Sequence, residues 1–323
     1  MDESNTHPAS LPPDEELVEV KKPASLLIAQ FFLFPLIIIG ICVGIFLFFG
    51  YLTYDQRTPT EYLSDIRLGA DTQRWQAAWE LSNLVTSNPK KVKTIEFVEN
   101  LIAAYKDSPD EDIRVRGYLA RILGELKDPL AVPVLLAGLE REENLKSKDW
   151  SKSGTFSIWR PSVSEIANDL VQSQMNTLIA LGSIGDNAAV PGVLEQVKNR
   201  DSYVRNIAVY VSGVLGDQRA VEVVRPLLND SKEDIRLNAA VALAQLGDTE
   251  GAEQLIKVLD RAYVDSLADF IPDQRTALMV NAVKTLAKLK YEPAFEKIRV
   301  LSENDPAPAV RSAALEALKT WSR

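Results

Sequence analysis

The chain repeats itself. Residues 204–217 read VRNIAVYVSGVLGD and residues 235–248 read IRLNAAVALAQLGD, an offset of 31 residues that keeps the Arg, the small residues, the Leu and the Gly-Asp pair in register. The same frame fits Val115-Arg116 through Lys127-Asp128 and Val310-Arg311 through Leu318. With the Arg replaced, it also fits Ser173-Gln174 through Gly185-Asp186 and Leu278-Met279 through Leu289-Lys290. A divergent first copy runs from Gln73-Arg74 to Leu84. A period of this length marks an array of two-helix units, none of which can bury its apolar face alone. No stretch shows sustained strand alternation, so the expected fold class is all-α.

Each unit carries its own instructions. Small residues such as Ala120, Ala208 and Ala239 recur where helices must approach, and Leu123, Leu243 and Leu286 fill the seam. Gly185, Gly216 and Gly247 are placed to end the first helix with a left-handed cap. A second helix is expected after each, as in Val132 to Leu139 and Val221 to Leu228. Ser108-Pro109-Asp110-Glu111 reads as a capping box, and Asp201 and Asp305 as N-caps.

On the Val/Ile-Arg, the Ala and the Leu-Gly-Asp of each unit, residues 70–323 resemble HEAT repeats, in particular the short phycobilisome-lyase-type HEAT-like variant. The resemblance implies an α-solenoid that binds other proteins, most proteins with this repeat being scaffolds or adaptors. It also implies a mainly structural role, bonding within and between repeats, for Arg116, Arg205, Arg236 and Arg311, and for Asp128, Asp186, Asp217 and Asp248.

The array does not start the chain. Residues 1–24 hold four prolines and six acids against two bases, the composition of a disordered acidic tail. From Pro23 to Tyr54 there is no charged residue. A run longer than about 20 apolar residues reads as a membrane-spanning helix. The expectation is therefore a single transmembrane helix over 25–54, a juxtamembrane helix or linker over 55–70, and the solenoid over 71–323. Gly40 and Gly44 form a G-x-x-x-G pair that would admit a partner helix in the membrane. Lys21 and Lys22 before the run tilt the expected topology towards a single-pass protein whose solenoid lies outside, in a bacterium the periplasm.

Repeat spacing reveals two insertions, near 141–170 and 261–272. The first contains Trp150, Phe156, Trp159 and Arg160, residue types that anchor interfaces, and is the expected partner-binding element. The second holds Tyr263, Phe270 and Ile271.

Several function classes are disfavoured. One His and one Cys cannot build a structural zinc site or a disulfide, and His7 lies in the tail, away from any triad. A net charge of −9 argues against a nucleic-acid partner. No phosphate-loop, zinc-protease or nucleophile-elbow motif is present. The expectation is a protein that is not an enzyme and needs no cofactor: a membrane-anchored scaffold holding protein partners along the solenoid. The alternatives are a structural subunit of a larger membrane complex, and a lyase-like or cofactor-handling accessory enzyme.

Overall fold

The computed structural model describes residues 32–52, 57–148, 162–268 and 270–321. They divide into two units at Arg57/Thr58. In the first unit, helix α1 (Phe34–Leu52) is uncharged, and its apolar side chains from Phe34 to Phe49 are exposed.

Here the expected membrane anchor is corrected. Among the described residues, no helix is long and apolar enough to cross a membrane. Of the expected span 25–54, residues 25–31 and 53–54 lie outside the described residues. The expected transmembrane helix and the membrane as a partner through 25–54 are therefore not supported by the described residues, and the expected single-pass localisation with the solenoid in the periplasm is overturned.

The second unit is an all-α repeat solenoid, with no strand among its described residues. It opens with α2 (Pro59–Leu68), whose start is fixed by a capping box: Thr58 Oγ1 accepts from the Glu61 amide and the Glu61 carboxylate accepts from the Thr58 amide. The first helices of the repeats are α3 (Asp71–Ser87), α5 (Ile113–Leu126), α7 (Val163–Ile184), α9 (Ser202–Leu215), α11 (Glu233–Gln245), α13 (Pro272–Lys288) and α15 (Pro308–Trp321). Each packs on the next. Between them run the second helices: α4 (Ile95–Asp107), α6 (Val132–Leu145), α8 (Val190–Gln196), α10 (Ala220–Val224), α12 (Thr249–Val258) and α14 (Phe295–Asn304).

Two devices repeat along the stack. The residue twelve after the start of the unit (Val115, Ser173, Val204, Ile235 or Leu278) is left-handed in five copies. It is Gly185, Gly216 or Gly247 in three of them, but Lys127 and Lys290 in the others, at φ of 48° and 50°. Nine residues after the same start, the first helices come into backbone contact. A Cβ on Gly124 would stand 2.6 Å from Ala180 Cα, and one on Gly213 would stand 2.8 Å from Ala242 Cα. The buried apolar residues form two large clusters. One runs from Tyr62 to Leu246 and the other from Leu237 to Ala317. They meet on α11, which turns Ile235, Ala239 and Leu243 to the first and Leu237, Ala240 and Ala244 to the second.

The insertions are largely helical at their edges. α6 extends to Leu145 and α7 begins at Val163, so much of the extra length near 141–170 lengthens these two helices. In the second insertion Arg261–Asp265 is a helical turn, with Val264 and Leu267 buried in the second core.

Candidate protein-binding face

The charged repeat residues are engaged inside the array. Nη1 of Arg116 donates to the Pro109 carbonyl at 2.8 Å, that of Arg205 to Asn199 at 2.7 Å, that of Arg236 to Asp230 at 2.7 Å and that of Arg311 to Asp305 at 2.6 Å. Each Arg thereby ties its helix to the loop that precedes it. Asp128, Asp186, Asp217 and Asp248 accept from the amides of Leu130, Ala188, Arg219 and Glu250, satisfying donors at the start of the second helix that have no partner within it. The Arg219 guanidinium beside Asp217 holds that carboxyl down at about 2. Links to the following repeat come from Arg205 to Asp230 at 2.9 Å and from Arg225 to Asp248 at 2.7 Å. These residues cap and tie the turns.

A different set of side chains is left uncovered. Six residues after the start of each unit, the first helix points away from the core. That position holds Trp79 on α3, Arg121 on α5, Ile179 on α7 and Tyr210 on α9, all exposed. Trp75 lies one turn before Trp79 and Val214 one turn after Tyr210, and both are also exposed. Because α3, α5, α7 and α9 pack in succession, equivalent positions line up as a row across four repeats. The row does not continue: Val241 on α11 is buried, and Lys284 and Glu316 occupy the position on α13 and α15. Aromatic and Arg side chains in a solvent-exposed row are the residue types that dominate protein interfaces.

The sequence reading missed this row, although the repeat frame contains its signal. Once the buried positions of the best copies are assigned, Trp79, Ile179 and Tyr210 fall on a solvent-facing position. The residues singled out from sequence, Trp150, Phe156, Trp159 and Arg160, lie outside the described residues. Gly40 and Gly44 lie on α1 with open space above both Cα atoms. In the second insertion, Tyr263 donates to Glu233 at 3.1 Å. Among the described residues no group of three or more His, Cys, Asp or Glu side chains is arranged to hold a metal ion.

Residues 190–268 match the HEAT repeats model, and residues 115–141 match that of the PBS lyase HEAT-like repeat. Over those residues the chain carries HEAT-like repeats. It is 26% identical over 250 residues to phycocyanobilin lyase subunit alpha of Thermosynechococcus vestitus, covering 75% of this chain and 80% of that protein. It is also 26% identical over 170 residues to a deoxyhypusine hydroxylase of Aspergillus oryzae, covering 48% of this chain. It spans about half of that hydroxylase, 47% of its length. Among solved structures it resembles the complex of CpcE and CpcF of phycocyanin lyase from Nostoc sp. PCC7120, with a TM-score of 0.52 and 22% identity. The match covers 82% of this chain and 88% of that one. At that identity the structural likeness shows the fold alone.

These relatives correct a second expectation. The absence of a catalytic motif in the sequence leads to the expectation of a protein that is not an enzyme. Relatives named as a lyase subunit and a hydroxylase point to an enzyme-related function instead. A repeat array can serve a reaction by presenting a protein, and that role leaves no local motif in sequence.

Proposed function

We propose that this chain is a HEAT-like repeat subunit with an enzyme-related role, gripping a protein partner along the row of Trp75, Trp79, Arg121, Ile179, Tyr210 and Val214. The carrying observation is the exposure of Trp79, Arg121, Ile179 and Tyr210 at one repeat position on four successive first helices, with Trp75 and Val214 exposed one turn away, where the array's own stability calls for polar residues. A relative named as a lyase subunit and a neighbour solved as a complex of two proteins support a life in assemblies. The Arg and Asp residues of the turns serve the array and not the partner. Trp150, Phe156, Trp159 and Arg160 would add contacts to the same partner.

A second reading, a structural subunit of a larger assembly, is favoured by α1. Its apolar side chains from Phe34 to Phe49 are exposed and need a cover. Gly40 and Gly44 would be where a covering helix approaches.

The test is co-purification of the tagged chain from mild detergent, with bound proteins quantified. Trp79→Ala with Tyr210→Ala should reduce retention of the main stoichiometric partner at least tenfold while circular dichroism stays unchanged. Undiminished retention would show that the row is not the grip.

A further inference from the structure

A buried charged cluster joins α4, α5, α6 and α7, and the protein-binding row makes no use of it. The side chains of Arg116 on α5 and Glu142 on α6 are both fully buried, with Arg116 Nε 3.4 Å from Glu142 Oε1. Ser173 Oγ on α7 donates to the same oxygen. The second carboxylate oxygen, Arg116 Nη2 and the Tyr105 hydroxyl on α4 are each buried without a hydrogen-bond partner. The cluster is peculiar to this repeat. In later copies the arginine meets a carboxylate in the following loop or at the start of its own helix, as Arg205 meets Asp230 and Arg236 meets Glu233, and neither of these pairs is fully buried. Glu142 also sits where the regular spacing is broken, three residues before the end of α6.

We propose that Glu142 is a proton-controlled clasp between α5, α6 and α7: its carboxyl stays neutral and closes the junction at mildly acidic pH, and its ionisation loosens that junction as the pH rises through neutrality. The geometry supplies the reason. An ionised carboxylate at this place has one strongly engaged oxygen, and its second oxygen is buried without a donor, a costly arrangement in a medium of low polarity.

The charged groups that surround it are few. Arg116 on α5 and Arg141 on α6 favour the ionised form, whereas burial opposes it and dominates, pushing the Glu142 carboxyl up to about 7. The Tyr105 phenol on α4 is itself raised by burial and stays neutral. Ser173, Gln174 and Thr177 face the cluster from α7 and carry no charge. Asp110, paired with Arg141, and Asp112, paired with Arg74, lie in the loop before α5.

The sign follows from linkage. A carboxyl raised from 4.5 to about 7 contributes its full stability below 4.5 and loses it as the pH rises towards 7, after which the loss levels off. Between pH 6 and 8 the loss amounts to about tenfold in the opening equilibrium of the junction. No His or Cys contributes to the background, because the only His is His7 and the only Cys is Cys42, so residues 58–323 hold neither. Asp112 and Asp169 are also raised by burial and share the sign, so they need separate controls.

Amide hydrogen exchange of the full-length chain in non-ionic detergent micelles, corrected for intrinsic rates, tests this at pH 6 to 8. Peptides from 132–148 and 163–184 should open about tenfold more at pH 8, while 295–321 stays constant. Glu142→Gln should abolish the difference, and Asp112→Asn and Asp169→Asn should keep it. Equal opening at both pH values, or a difference that survives Glu142→Gln, overturns the proposal. Should Glu142→Gln fail to fold, Ser173→Ala decides. Removing the hydroxyl that favours the ionised form should move the levelling-off to higher pH, and an unmoved profile overturns it.

Discussion

The repeats before α11 and those after it are built on one frame but spend it differently. In the earlier part the position of closest approach between first helices is Gly124, Gly182 or Gly213, and backbone lies against backbone or against a branched side chain. On α11 and α13 the same position is Ala244 or Ala287, both buried and both tolerated. The solvent-facing position differs in the opposite sense: apolar or aromatic on α3, α7 and α9, but charged on α13 and α15. Tight packing below and apolar display above thus occur together in one half. A solenoid whose units touch only their neighbours allows this, because each repeat can change its outer face without disturbing the rest.

Substitutions at the close-approach position should expose the contrast most strongly. Gly124→Ala or Gly213→Ala puts a methyl under 3 Å from the neighbouring helix and should cost about 1–3 kcal/mol in denaturant unfolding. The reverse change, Ala244→Gly, creates no clash and should cost only about 1 kcal/mol, the helix-propensity penalty. Equal costs would mean that the two halves pack alike.

The left-handed position gives a smaller effect of opposite sign. Lys127→Gly and Lys290→Gly relieve a left-handed lysine in each half and should stabilise by about 0.5–1 kcal/mol, read as a raised midpoint. Smallest of all, Trp79→Ala in the first half and Lys284→Ala in the second should each change stability by less than about 0.5 kcal/mol. Only the first should weaken partner retention, and that difference separates display from support.

Acid adds a further check on the first half. Asp110 is held low by its hydrogen bond with Arg141, so its contribution is present above 3.8 and disappears as the pH falls below that value. Asp110→Asn should flatten this acid limb in urea unfolding between pH 5 and 2.

Much of the fold was legible because the frame repeats. Val204, Arg205, Gly216 and Asp217 recur as Ile235, Arg236, Gly247 and Asp248, and each type has a local physical job: core filler, loop tie, left-handed stop or cap. The functional face was less legible. Trp79, Ile179 and Tyr210 are ordinary apolar residues in a helix, and they stand out only once the buried positions of the repeat frame have been assigned. Glu142 was invisible for a related reason: nothing in Glu140–Glu143 shows which of the acidic side chains turns inward to meet Arg116 and Ser173. The apolar run failed in another way, since composition measured its hydropathy while the described helix set its length.

The sequence by itself determined the helix pairs, their caps and the period at which they stack, because these depend on interactions within about thirty residues. Tertiary structure decided which face of each first helix is buried, which glycines carry backbone contact and which carboxylate is sealed in the core. Those are properties of neighbouring repeats, and burial, unlike a cap or a turn, is fixed only when the neighbour arrives.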